Sequence, residues 1–203
     1  MPSSVTSLVQ RLVDRVAAAD PVVATQLGLA DHAGELPDLS APGLAAYLAD
    51  VKQLLGGLDR AAADAAGDDA IDAATGGQIA RRVVRAFEMR RVQHTVPGLY
   101  LEAAYGVLLL MIKEIGTPAE RIDALAGRLR ALPGVLEEGL ANLRGPLPLP
   151  FVAAALDDVP GIAETCDVDE YKLHYYGSLF MVNPSGVVPK GPKLDFTSPH
   201  GRG

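Results

Sequence analysis

Four histidines, one cysteine and a few acids and serines are the side chains that could do chemistry here, and their spacing decides whether they do. The histidines are His32, His94, His174 and His200. Zinc chelated from one helix needs two of them four residues apart, because only then do both imidazoles share a face. No pair meets that spacing, and no H-E-x-x-H occurs. Cys166 and His174 make one pair without the second pair that completes a tetrahedral site. Asp167, Asp169 and Glu170 offer the oxygen ligands that calcium prefers. Lys172, however, stands where such a loop needs glycine, and the later bidentate glutamate is missing, so they read as a solvated acidic patch. Ser178 and Ser185 lack the G-x-S-x-G elbow that exposes a nucleophile, and Cys166 follows no protease signature. Neither G-x-x-x-x-G-K-S/T nor G-x-G-x-x-G is present, and Gly76-Gly77 reads only as a weak spot near a helix start. The residues therefore give no catalytic residue, no cofactor-binding residue and no metal ligand.

The remaining charges read as surface. Glu137-Glu138 and Asp157-Asp158 are adjacent and so do not face each other on a helix. Arg81, Arg82, Arg85, Arg90 and Arg91 form a basic cluster whose first three members share a flank, with Glu88 placed to neutralise Arg85 in part. Net charge is −7 with a pI near 5.0, which excludes the basic field that a nucleic-acid partner requires. A single cysteine forbids an internal disulfide and suits a reducing cytoplasm. Gln10, Arg11, Asp14 and Arg15 interrupt the amino terminus, so it is no secretory signal. The longest apolar run, Ala103 to Ile112, spans ten residues, half of what a bilayer needs, and reads as a buried helix rather than a membrane anchor.

The elements that would carry these residues are helical. Hydrophobic residues make up 49% and aromatics only 5%, so the core must be built from Leu, Val, Ile and Ala. Val5, Leu8, Val9, Leu12, Val13 and Val16 repeat with helical spacing behind Ser3 or Ser4 as cap. Asp20-Pro21 stops that helix and restarts a short one, with Asp20 as N-cap and Gly28 as its end. Residues 31–40 read as a loop, and Ser40 caps a second long helix carrying Leu44, Leu48, Val51, Leu55 and Leu58. A third runs from about Gln78 to His94. After Pro97-Gly98, Leu99 to Glu114 forms the most apolar and central helix, with Tyr100 and Tyr105 expected in the core and Gly116 at its end. Thr117-Pro118-Ala119-Glu120 is a capping box, opening a helix that Pro133 is expected to kink or divide. Pro146, Pro148 and Pro150 stiffen a connector before a short helix, Phe151 to Leu156.

Near residue 165 the composition changes. Residues 1–165 hold twelve Arg and two Lys, whereas residues 166–203 hold one Arg, three Lys and three of the six Tyr. The division expected is a helical domain over 1–163 and a tail over 164–203. In the tail, Lys172 to Val182 and the turn Asn183-Pro184-Ser185-Gly186 would make a short hairpin, with disorder beyond Val188. The fold class is all-α, an irregular antiparallel helical bundle with a non-helical C-terminal tail.

One combination is more specific. Asp20-Pro21, then Ala24-Thr25-Gln26-Leu27-Gly28-Leu29, Asp31-His32 and Leu36-Pro37-Asp38-Leu39-Ser40 resembles the opening of the bacterial domain-of-unknown-function 885 family. Leu44 to Leu58 and residues 69–144 continue the similarity, which covers about residues 8 to 160. The resemblance implies a helical fold akin to gluzincin-type zinc metallopeptidases, whose members are much longer and carry H-E-x-x-H far downstream. This sequence has no such motif, so zinc is expected only in full-length relatives and not in this chain. The composition change near residue 165 suggests a truncated or rearranged gene product.

The function expected is the amino-terminal helical region of a zinc-metallopeptidase-like hydrolase, inactive alone. The alternative is a stand-alone helical binding or protein-interaction module. The partners expected are a second copy or a missing downstream domain, with no nucleic acid and no membrane.

Overall fold

The computed structural model describes residues 3–166, with side chains through Ala163. In chain order its helices are α1 (Ser4–Ala19), α2 (Pro21–Gln26), α3 (Ala41–Ala62), α4 (Asp68–Val84), α5 (Val92–Thr95), α6 (Gly98–Ile112), α7 (Pro118–Asn142) and α8 (Leu149–Cys166). A π-helical turn, Arg85–Met89, follows α4. No strand occurs among the described residues, and the fold is the all-α bundle expected.

Four helix starts come from short polar side chains placed to satisfy orphan N–H groups. Ser3 accepts from Thr6 N, Asp20 from Val23 N and Ser40 from Gly43 N. Thr117 and Glu120 bond reciprocally across the first turn of α7 as the capping box predicts. Gly28 takes φ +82°, a left-handed value that ends α2 at little cost only for glycine; Gly116, at φ +71°, does not end α6, which stops at Ile112 with Lys113 extended as its C-cap.

Other expectations change. α4 begins at Asp68, ten residues before Gln78, so Gly76-Gly77 lies inside it and not near its start. Packing explains this: a Cβ on Gly76 would sit 3.2 Å from Leu58 and 3.3 Å from Val9, so glycine lets α4 close on α1 and α3. The helix does not reach His94 either, because the π-helical turn and Arg91, at φ +51°, end it. Pro133 does not divide α7, which runs unbroken for 25 residues. α8 extends well past the expected Phe151 to Leu156. Glu88 pairs with Lys52 on α3 rather than with Arg85. The hairpin, the tail beyond Val188 and the acidic patch at 167–170 lie outside the described residues.

The helices form two cores. In one, Leu12 of α1 meets Tyr47, Val51, Leu54 and Leu58 of α3 and Ala80 of α4. In the other, Leu39 and Leu44 meet Tyr100, Ala103 and Ala104 of α6 and Leu132 and Val135 of α7. Each fully buried Leu or Val contributes ~1.5–3 kcal/mol over an exposed one. Phe87 packs against both cores. It sits in the π-helical turn, closed by Arg90 N donating to Arg85 O at 3.0 Å, and that wider turn re-aims the side chains after Val84. α6 is buried on most sides, as a central helix should be. Tyr100 is in the core, with its hydroxyl donating to Gln93 O at 2.7 Å. Tyr105 is not: it is 45% exposed, because among the described residues no helix covers the stripe of α6 that it shares with Glu102.

Two polar side chains are wholly interior among the described residues, Thr25 and Arg128. Arg128 of α7 is 0% exposed and donates to Glu35 O, Gly106 O, Pro21 O and Thr25 Oγ1. The Thr25 hydroxyl itself donates to Pro21 O at 2.8 Å. Asp20, Pro21 and Thr25 thus build the short helix that receives the guanidinium. Burial pushes the Arg128 pKa down to about 10, with the charge of Asp20 opposing, so it stays cationic at neutral pH.

Candidate functional site

Where the two cores meet, the helices leave a cleft of about 520 Å³. Volumes of this order hold small organic ligands, and gaps between helices are where bundles place them. The end of α1 contributes Arg15 and Asp20, the following loop Asp38, and α3 Leu44 and Tyr47. α4 and the π-helical turn add Arg82 and Phe87, and α6 adds Leu99, Glu102 and Ala103.

Each polar group has a defined environment. Arg15 is held by Asp50 at 2.7 Å and lies 4.9 Å from the centre of the Tyr47 ring, a cation–π contact. Tyr47 and Phe87 meet edge to face, with ring centres 6.3 Å apart. Burial pushes the Tyr47 phenol up to about 12; Asp20 adds to this and Arg15 opposes it. The phenol therefore stays protonated and can donate a hydrogen bond but cannot serve as a base. Asp38 accepts from Ser40 N and packs over Gly43. Asp20 spends one oxygen on the cap of α2. Glu102 and Arg82 make no hydrogen bond or ion pair among the described residues. Burial, with Asp20 next, raises the Glu102 carboxyl above the ordinary glutamate range.

Among the described residues the lining contains no Ser, Thr, Cys, His or Lys, and its titratable groups are Asp20, Asp38, Glu102, Tyr47, Arg15 and Arg82. The cleft can bind and orient a small ligand. The histidines within the described residues lie elsewhere and are engaged. His32 Nδ1 pairs with Glu35 at 3.0 Å, and His94 Nδ1 meets Asn142 O at 2.7 Å. Among the described residues no three His, Cys, Asp or Glu side chains come together to hold a metal. His174, His200 and the side chain of Cys166 lie outside them. No helix among the described residues is long and apolar enough to cross a membrane.

Arg81 and Arg82, both read as a solvated basic face, diverge in practice. Arg81 turns to Asp59, and Arg82 reaches the cleft. Tyr47, Glu102 and Arg128 were not legible as site or buried-polar positions. For Arg128 a signal existed, since it falls three residues after Leu125 and four before Leu132, on the buried stripe of α7.

A family model described as "Bacterial protein of unknown function (DUF885)" matches residues 21–179. Among curated proteins, the glutathionyl-hydroquinone reductase YqjG of Escherichia coli (strain K12) is 46% identical over 44 residues, which is 22% of this chain and 13% of that protein. No solved structure matches.

Proposed function

The chain belongs to the DUF885 family, and on that premise we propose that it supplies the ligand-recognition helices of a zinc-metallopeptidase-like hydrolase and is inactive by itself. The observation that carries this reading is the cleft, walled by charged, aromatic and aliphatic groups and, among the described residues, without Ser, Thr, Cys, His or Lys. Catalysis of that class needs a metal-bound water and a general base, and both would come from outside this chain. The chain spans 13% of the reductase it resembles locally, too little to bring that enzyme's chemistry here. A reducing cytoplasm suits the single cysteine.

A second reading, a self-sufficient helical binding module, is favoured by one feature: every group named in the cleft comes from this chain. The two readings separate in the genome. A hydrolase fragment requires helices and H-E-x-x-H encoded downstream, and a binding module requires neither. In solution, the chain exposed to zinc and then desalted should retain far less than one ion per molecule and cleave no peptide. One tightly held zinc per chain, with peptidase activity lost to a chelator, would overturn the assignment.

A further inference from the structure

The charges around the cleft select among ligands. Three carboxylates, Asp20, Asp38 and Glu102, face two guanidinium groups, Arg15 and Arg82, leaving an excess of one negative charge. Their commitments sharpen the imbalance. Arg15 is already paired with Asp50 and stacked on Tyr47, so its charge is spent. Asp38 is turned onto Ser40 N and Gly43. Arg82 and Glu102 are both solvent-exposed at the rim, from α4 and α6. What remains uncommitted on the acidic side is the second oxygen of Asp20 and the carboxylate of Glu102, beside the aliphatic and aromatic surfaces of Leu44, Phe87 and Leu99. Asp20 lies close enough for its charge to raise Glu102, so the two acids repel across the space between them. A cation placed there relieves the repulsion and supplies donors to Glu102 and to the Asp20 oxygen not spent on the cap of α2.

We propose that this cleft takes an organic monocation, a primary ammonium carried on an apolar body, with the ammonium between Asp20 and Glu102 and the body against Leu44, Phe87 and Leu99. The amino terminus of a short peptide with an apolar first residue has this chemistry. The inference rests on the reading of the cleft as a binding site, and its test keeps the two apart.

The full chain would be titrated with three probes of one shape: benzylamine, benzyl alcohol and benzoate. Binding would be followed by amide chemical shifts of Tyr47, Phe87 and Ala103. Benzylamine should bind at least tenfold more tightly than either of the others. Glu102→Gln should weaken it at least tenfold, and Arg82→Gln should not. Glu102 is solvent-exposed, and its removal relieves the repulsion from Asp20, so Glu102→Gln should not lower the thermal midpoint and a loss of affinity reports on binding. Comparable affinity for all three probes would overturn the cation assignment while leaving the cleft a binding site. Absence of binding by every probe would overturn both.

Discussion

Arg128→Met keeps most of the side chain's length and removes its five N–H donors. In the native chain the guanidinium is fully buried and makes four hydrogen bonds, among them Glu35 O at 3.0 Å and Pro21 O at 2.9 Å. Bonds from a charged donor contribute ~1.5–3 kcal/mol each. Against them stands a desolvation penalty of several kcal/mol, because no carboxylate accompanies the cation into the interior. The acceptors do not all suffer equally. Pro21 O keeps the Thr25 hydroxyl, and Gly106 O lies inside α6, where a helical bond engages it. Glu35 O loses its donor outright. Weighing these, Arg128→Met should cost about 2–4 kcal/mol, a large share of an ordinary domain's stability. A urea titration followed by circular dichroism at pH 7 should place the midpoint roughly 1–2 M lower. Arg128→Lys retains the charge but not the planar fork that reaches four acceptors, so it should recover less than half of the loss. An unchanged midpoint for Arg128→Met, or complete rescue by lysine, would refute the view that the guanidinium ties α2, α6 and α7 together.

Two further outcomes follow from other elements. Leu109 is 3% exposed in the last turn of α6, so Leu109→Ala should cost ~2–5 kcal/mol in the same titration; a midpoint equal to wild type would mean that this helix is not central. The Thr117 backbone N–H, then its hydroxyl, hold the Glu120 carboxyl below the ordinary glutamate range. A lowered pKa contributes stability above the unfolded value that is lost as pH falls through the folded one. The thermal-midpoint advantage of wild type over Glu120→Gln should therefore be full at pH 7 and shrink below about pH 4, and an advantage constant down to pH 2 would contradict the capping geometry.

The sequence made local features legible and hid those that depend on partners far along the chain. Ser3, Asp20, Ser40 and Thr117 could be read as caps because each acts on N–H groups two or three residues away. Gly76-Gly77 could not be read as helix interior, since what makes glycine suitable there is Leu58 and Val9 on other helices. Pro133 misleads for a related reason: a broken backbone bond is a local cost, and α7 continues because Leu132 and Val135 on either side are both buried in the core. The apolar neighbours of Tyr105 point to the core, but among the described residues no helix covers its stripe. The cleft was hardest of all. Its walls come from residues between 15 and 103, and the charges that distinguish it, Asp20 and Glu102, are an N-cap and an isolated acid when read in sequence.

Phe87 touches both cores from a turn that belongs wholly to neither. A shared side chain of this kind makes the two halves one thermodynamic unit, because loosening either strips contacts from the same ring. The cleft wall formed by that ring then inherits the stability of the whole bundle instead of that of a local loop. An occupant pressed against Phe87 would accordingly stabilise both halves at once, by the free energy of its own binding.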